Sequence, residues 1–176
     1  MTSILVLGGA RSGKSAFAQK AAEQAAETVA GAARPALIAT GQAFDDEMAE
    51  RIARHQADRG ESWTTVEAPL ALAEAITALP PHAVAVVDCL TLWLSNLMLA
   101  ERDVEAAVTA LVDAVAACPA QLWLVSNEVG LGLVPETPLG RRFRDEAGRL
   151  HQRLAQTVDE VYFVAAGLPL KLKPQG

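Results

Sequence analysis

A chain of 176 residues, 51% of it hydrophobic, fits the range of about 100 to 200 residues usual for one domain and is apolar enough to bury a core. Lys and Arg number 15 against 21 Asp and Glu, a net charge of −6 that opposes binding to a nucleic-acid phosphate backbone. Two cysteines, Cys89 and Cys118, without paired spacing or a Cys/His cluster, exclude a disulfide framework and a thiolate zinc site.

The first predicted strand, residues 3–7, has no basic segment ahead of it and no cleavage pattern behind it. It reads as a core strand rather than a secretory signal, and a cytoplasmic protein is expected. It runs directly into Gly8-Gly9-Ala10-Arg11-Ser12-Gly13-Lys14-Ser15, and a helix is predicted over 14–30. This is G-x-x-x-x-G-K-[ST] between a strand and a helix, the context a P-loop requires. The glycines let backbone N–H groups turn inward around phosphates, and the helix N-terminus adds partial positive charge. Lys14 is expected to reach the β and γ oxygens of a nucleotide, and the Ser15 hydroxyl to ligate Mg²⁺.

A second strand, 36–39, leads to Thr40, Gly41 and Gln42, at the carboxyl end where open α/β sheets bind ligands. A helix over 45–59 follows, capped by Asp45 or Asp46. Met48, Ile52 and His55 share one stripe of it, so spacing alone points to a packed histidine. Its residues Glu47, Glu50, Arg51 and Arg54 read as a solvated face. A short strand, 63–66, ends before Glu67, which reads as a solvent-facing strand end. A helix over 71–79 stops at Pro80-Pro81.

The strand 84–88 carries four apolar residues and then Asp88. At that position a carboxylate can hold the metal of a P-loop site, or it can cap the helix predicted over 90–99. The window 83–100 is the most apolar of the chain, yet Asp88, Thr91, Ser95 and Asn96 interrupt it, so no membrane span is expected. The helix 90–99, rich in Leu and carrying Trp93, reads as core or as an apolar interface. A helix over 104–117, a strand over 122–126, a glycine-rich loop over 127–135 and a helix over 139–157 follow, then a strand over 160–164.

The loop follows a strand's carboxyl end and so belongs on the rim of the site, as a close-approach segment or a lid. Arg141, Arg142 and Arg144 open the next helix against its dipole. That arrangement calls for a substrate phosphate, or for Asp145 and Glu146, nearby. His82 and His151 read as surface or structural residues. The alternation of strand and helix predicts a single α/β domain over residues 1–176, P-loop NTPase-like, with a mostly parallel sheet and helices on both faces. The residues by themselves specify a nucleoside triphosphate, Mg²⁺ and phosphoryl or nucleotidyl transfer. They leave open a kinase of a small alcohol and a nucleotide-dependent switch.

Several segments together carry a more specific likeness: the P-loop, Ala39-Thr40, Asp45-Asp46-Glu47-Met48, Arg51-Ile52-x-x-His55, Asn127-Glu128-Val129-Gly130-Leu131-Gly132-Leu133-Val134-Pro135, Arg142-Phe143-Arg144-Asp145 and Gly148-Arg149. In this order they resemble the bifunctional adenosylcobinamide kinase/adenosylcobinamide-phosphate guanylyltransferase family of cobalamin biosynthesis, nearly end to end. The resemblance implies phosphorylation of adenosylcobinamide by ATP or GTP, then transfer of GMP from GTP to adenosylcobinamide phosphate with release of pyrophosphate. It implies a covalent GMP-histidine at the position of His55, with Lys14 as its catalytic partner. Gln56, Ala57, Asp58 and Arg59 are implied to contact nucleotide, and Glu67 and Asp88 to lie near the guanine nucleotide. A homotrimer is also implied. Arg54 stands where some members carry a second histidine, which leaves His55 as the matching nucleophile.

Overall fold

Strands with apolar residues on both faces must be covered on both faces, and a parallel sheet flanked by helices satisfies that requirement. The computed structural model describes residues 2–28, 34–42 and 62–174. Strands β1 (Ser3–Gly8), β2 (Ala36–Ala39), β3 (Thr64–Glu67), β4 (Val84–Asp88), β5 (Gln121–Asn127), β6 (Glu160–Ala165) and β7 (Leu168–Lys173) form one sheet in the order β3-β2-β4-β5-β1-β6-β7. All neighbours are parallel except β7, which runs antiparallel to β6. The helices are α1 (Lys14–Thr28), α2 (Leu72–Thr77), α3 (Leu90–Leu99), α4 (Val104–Ala117) and α5 (Pro138–Thr157). The helix expected over 45–59 lies outside the described residues, as does the expected continuation of the first helix through 29–30.

Alternate residues of each strand enter different layers. Leu5, Ile38, Ala85, Val87, Leu122 and Leu124 pack with Leu90, Trp93, Leu94, Leu111, Leu150 and Leu154 from α3, α4 and α5. Ile4, Val6, Leu37, Val84, Val86, Trp123 and Val125 face the other way, onto α1. That helix presents Ala18, Ala22 and Ala26 to the sheet, all buried, and a stripe of small side chains lets its backbone settle close over the P-loop strand.

Four sequence expectations are adjusted. The third strand begins at Thr64, because Trp63 turns into the α1 layer, where its Nε1 donates to Glu23 Oε1 at 3.0 Å. The N-cap of α3 is Cys89, not Asp88, and no side chain caps that helix. Trp93 is 1% exposed, with its Nε1 donating to the Leu70 carbonyl at 3.0 Å, so it belongs to the core and not to a free interface. Strand β7, unpredicted, turns back from β6 through a two-residue turn, with Ala166 and Gly167 both at positive φ. Its Leu168, Leu170 and Leu172 lie exposed at the sheet edge.

Candidate active site

The P-loop forms at the junction of β1 and α1, where close packing demands glycine at position 8 and backbone conformation demands it at position 13, while a Cβ on Gly9 would meet nothing within 4 Å. Gly8 sits in register between Asn127 of β5 and Val164 of β6. A Cβ there would lie 2.5 Å from the Val164 carbonyl oxygen and 2.6 Å from Ser12 Oγ. Gly13 has φ of +95°, the left-handed region that favours glycine. The loop closes on itself where Ser12 N–H donates to the Gly9 carbonyl (3.3 Å), and α1 begins where Phe17 N–H donates to the Gly13 carbonyl (2.9 Å). Lys14 is buried, and its Nζ donates to the Gly9 carbonyl at 3.0 Å, across the mouth of the loop. No acidic residue occupies the first turn of α1, so the amide-rich end of that helix keeps its attraction for an anion.

Register places the remaining predicted groups along the same carboxyl edge. Ala39 of β2 stands opposite Glu67 on one side and Asp88 on the other. Neighbouring strands lie about 4.8 Å apart, so Asp88, two strands from β1, is roughly 10 Å from the P-loop strand, whereas Glu67, four strands away, is roughly 19 Å from it. Glu67 is exposed and Asp88 half-buried. The charges of Asp88 and Lys14 both reach the thiol of Cys89. Burial foremost, then Asp88, pushes that thiol's pKa up, and Lys14 acts in the opposite sense. Glu67 therefore lies farther along the carboxyl edge from the P-loop strand than Asp88 does.

Thr40 follows β2 as expected but is fully buried. Its Oγ1 donates to the Cys89 carbonyl at 2.7 Å and accepts from the Cys89 N–H at 2.9 Å. Its side chain thus ties the ends of β2 and β4 together. Gly41 and Gln42 continue along the rim, half-buried. Ala10 and Arg11 are exposed at the crown of the P-loop, Arg11 with φ of +55°. Ser15 is half-buried in the first turn of α1. The hydroxyl of Ser12, buried beneath the loop, finds no hydrogen-bond partner among the described residues. His55, Gln56, Ala57, Asp58 and Arg59 lie outside the described residues.

The structure adds groups that spacing did not single out. Asn96 on α3, 3% exposed, donates through Nδ2 to the carbonyls of Thr40 (2.7 Å) and Pro69 (3.0 Å), pinning both loops of the β2/β3 edge. Thr91 Oγ1, in the first turn of α3, accepts from Asn127 Nδ2 at 3.1 Å and so joins that helix to the end of β5. The β6–β7 turn touches the P-loop directly, Gly167 N–H donating to the Ser12 carbonyl at 2.8 Å. That turn left a sequence trace, an Ala-Gly pair before alternating leucines, and Thr91 and Asn96 left one as polar interruptions of the most apolar window. Of the three arginines that open α5, Arg141 donates to the carbonyls of Pro135 and Glu136 (3.0 and 2.7 Å), and Arg144 lies 3.6 Å from Asp145. For these two the neighbouring chain meets the demand for a partner.

Residues 4–172 match the family model described as cobinamide kinase / cobinamide phosphate guanyltransferase. The bifunctional adenosylcobalamin biosynthesis protein CobP of Pseudomonas aeruginosa is 45% identical over 172 residues, covering 96% of both chains. The proteins named CobU of Salmonella typhimurium and Escherichia coli are 42% and 40% identical, each alignment covering 97% of this chain and 99% of the relative. With a P-loop built at the β1–α1 junction and agreement over nearly its whole length, this chain belongs to the cobinamide kinase / cobinamide phosphate guanyltransferase family.

Proposed function

We propose that the protein phosphorylates adenosylcobinamide with ATP or GTP and then transfers GMP from GTP to the adenosylcobinamide phosphate, in cobalamin biosynthesis. The observation that carries this reading is a fully formed P-loop, with Lys14 buried across its mouth, in a chain aligned end to end with bifunctional relatives.

In the kinase step the P-loop amides and Lys14 hold the β and γ phosphates while the acceptor hydroxyl attacks the γ-phosphorus. Their fixed dipoles and charge meet the negative charge that develops there. The new P–O bond forms, the bond from the γ-phosphorus to the β,γ-bridging oxygen breaks, the nucleoside diphosphate leaves and the hydroxyl proton passes to solvent. The hydroxyl of Ser15, next to Lys14 in the first turn of α1, and the carboxylate of Asp88, at the carboxyl end of β4, are hard oxygen donors, a pair that suits Mg²⁺, which takes few protein ligands and keeps phosphate and water. Mg²⁺, when bound, neutralises phosphate charge. In the guanylyl step a neutral ring nitrogen of His55 attacks the α-phosphorus of GTP. A P–N bond forms, the P–O bond to pyrophosphate breaks, and Lys14 steadies the leaving charge. An acceptor phosphate oxygen then attacks the same phosphorus, the P–N bond breaks and the ring is restored. Glu67 and the segment Gln56, Ala57, Asp58 and Arg59 contact the guanine nucleotide in this reading, with Gly41 and Gln42 lining its path and the buried Thr40 holding the strand ends beneath them. The working form is a homotrimer in the cytoplasm, for which sedimentation equilibrium is the direct check.

Incubation with Mg²⁺ and α-³²P-GTP, followed by denaturing electrophoresis, tests the covalent step. Acid-labile, base-stable label that is lost in His55→Ala is the expected result. Wild-type protein that binds GTP but takes up no label would remove the nucleotidyl half and leave a kinase.

A further inference from the structure

Ser126, near the end of β5, places its hydroxyl 2.7 Å from Nε2 of His151 on α5. Nδ1 of the same ring stands 3.6 Å from Oε2 of Glu128, and both His151 and Glu128 are largely covered, at 8% and 23% side-chain exposure. A serine, an imidazole and a carboxylate in series suggest a nucleophile, but Ser126 is 0% exposed and no substrate can reach its oxygen. What the series does reach is the rim loop.

Glu128 is tied in three directions. Its backbone N–H donates to the Gly8 carbonyl at 2.9 Å, the last residue of the P-loop strand. Its Oε1 accepts from the Gly130 N–H at 2.6 Å, closing the first turn of the 127–135 loop, and its Oε2 faces the buried ring. Beyond that turn Leu131, Leu133 and Val134 are 82%, 96% and 64% exposed, so this stretch has no core of its own to settle it. The far end of the loop is held separately, by Arg141 on the Pro135 and Glu136 carbonyls.

We propose that His151 is a positioning residue: neutral, with its proton on Nδ1 toward Glu128 and Nε2 accepting from Ser126, it sets the Glu128 carboxylate and so holds the 127–135 loop in one place beside the P-loop for the acceptor. Burial of the ring keeps it in the neutral form that this requires, outweighing the pull of Glu128, the charged group that acts on it. The loop's exposed leucines then meet the acceptor from a fixed anchor at Glu128 rather than from a wandering one. The inference rests on the proposed kinase and guanylyltransferase reading only for the identity of that acceptor.

Gly130 offers a way to break the latch without entering the core. Its φ lies outside the left-handed region, so alanine fits the backbone, but a Cβ there would lie 2.8 Å from Glu128 Oε1 and push the carboxylate away. Amide hydrogen exchange over 129–134 is to be compared in wild type, Gly130→Ala and His151→Leu, with the KM for adenosylcobinamide and for GTP and the melting midpoint measured on the same preparations. In both variants the loop amides should exchange about tenfold faster, with the KM for adenosylcobinamide raised about fivefold and that for GTP within about twofold. Gly130→Ala should do this with its midpoint unchanged, which a merely structural role does not allow. Unchanged exchange in Gly130→Ala, or KM values for both substrates that move together with the midpoint, would overturn the proposal. Wild-type protein that fails to phosphorylate adenosylcobinamide would remove the acceptor assignment alone, since the exchange comparison needs no substrate and still decides the latch.

Discussion

The amide of Gly167 and the carbonyl of Ser12 are joined at 2.8 Å, so the tip of the C-terminal hairpin props the P-loop from outside. The support is conformational as well as polar: Ala166 and Gly167 both occupy positive φ, at 51° and 79°, as a two-residue turn between antiparallel strands requires. Nothing lies within 4 Å of a Cβ built on Gly167, so Gly167→Ala introduces backbone strain without a clash, about 1–2 kcal/mol. Calorimetry should show a lower melting midpoint and weaker GTP binding in that variant. Gly167→Asn, which tolerates the same φ better, should lie between it and wild type.

Gly8→Ala should fail more completely. The new methyl group would meet the Val164 carbonyl at 2.5 Å and Ser12 Oγ at 2.6 Å, and the carbonyl is fixed by the β1–β6 pairing. The P-loop must shift outward, so nucleotide binding measured by equilibrium dialysis should be lost even where circular dichroism reports a folded sheet.

Lys14→Met keeps most of the buried stem and removes the charge. Loss of one group that stabilises transition-state charge costs about 10²–10³-fold in kcat, and that range is expected for phosphorylation of adenosylcobinamide in steady-state assays. A variant within threefold of wild type would count against the role given to Lys14.

Asn96→Leu tests the clamp at the β2/β3 edge. The Thr40 and Pro69 carbonyls would each lose the donor that the structure gives them, and a stranded buried polar group costs about 1–3 kcal/mol. Urea denaturation should show a lower midpoint, with an unchanged slope if the unfolded state is unaffected.

The buried ring of His151 also predicts a pH dependence. Burial, opposed by Glu128, holds its pKa below the ordinary 6.5, so the unfolded chain takes up this proton before the folded one does. Its contribution is therefore intact above about pH 6.5 and declines as pH falls from there through the lower, folded-state pKa. The difference in urea stability between wild type and His151→Leu should shrink on going from pH 7.5 to 5. A constant difference would count against a neutral, buried ring.

Local pattern determined much of this molecule. Residues 84–88 read as a buried strand because both of its faces are apolar, and Gly8 to Ser15 read as a phosphate loop because strand, glycines, lysine and helix follow without interruption. Sheet order, and with it the distance that separates Asp88 from Glu67 along the carboxyl edge, came only from the tertiary structure, since strands adjacent in space are not adjacent in sequence. The same holds for Trp93, whose apolar helix reads equally as surface or core until its neighbours are placed. His151 carried no signal because its partners are Ser126 on a strand and Glu128 at the start of a loop, 25 and 23 positions away. A histidine's meaning depends on what burial and charge surround it. Helix periodicity tells which stripe it occupies, and only the packed fold supplies the carboxylate that faces it.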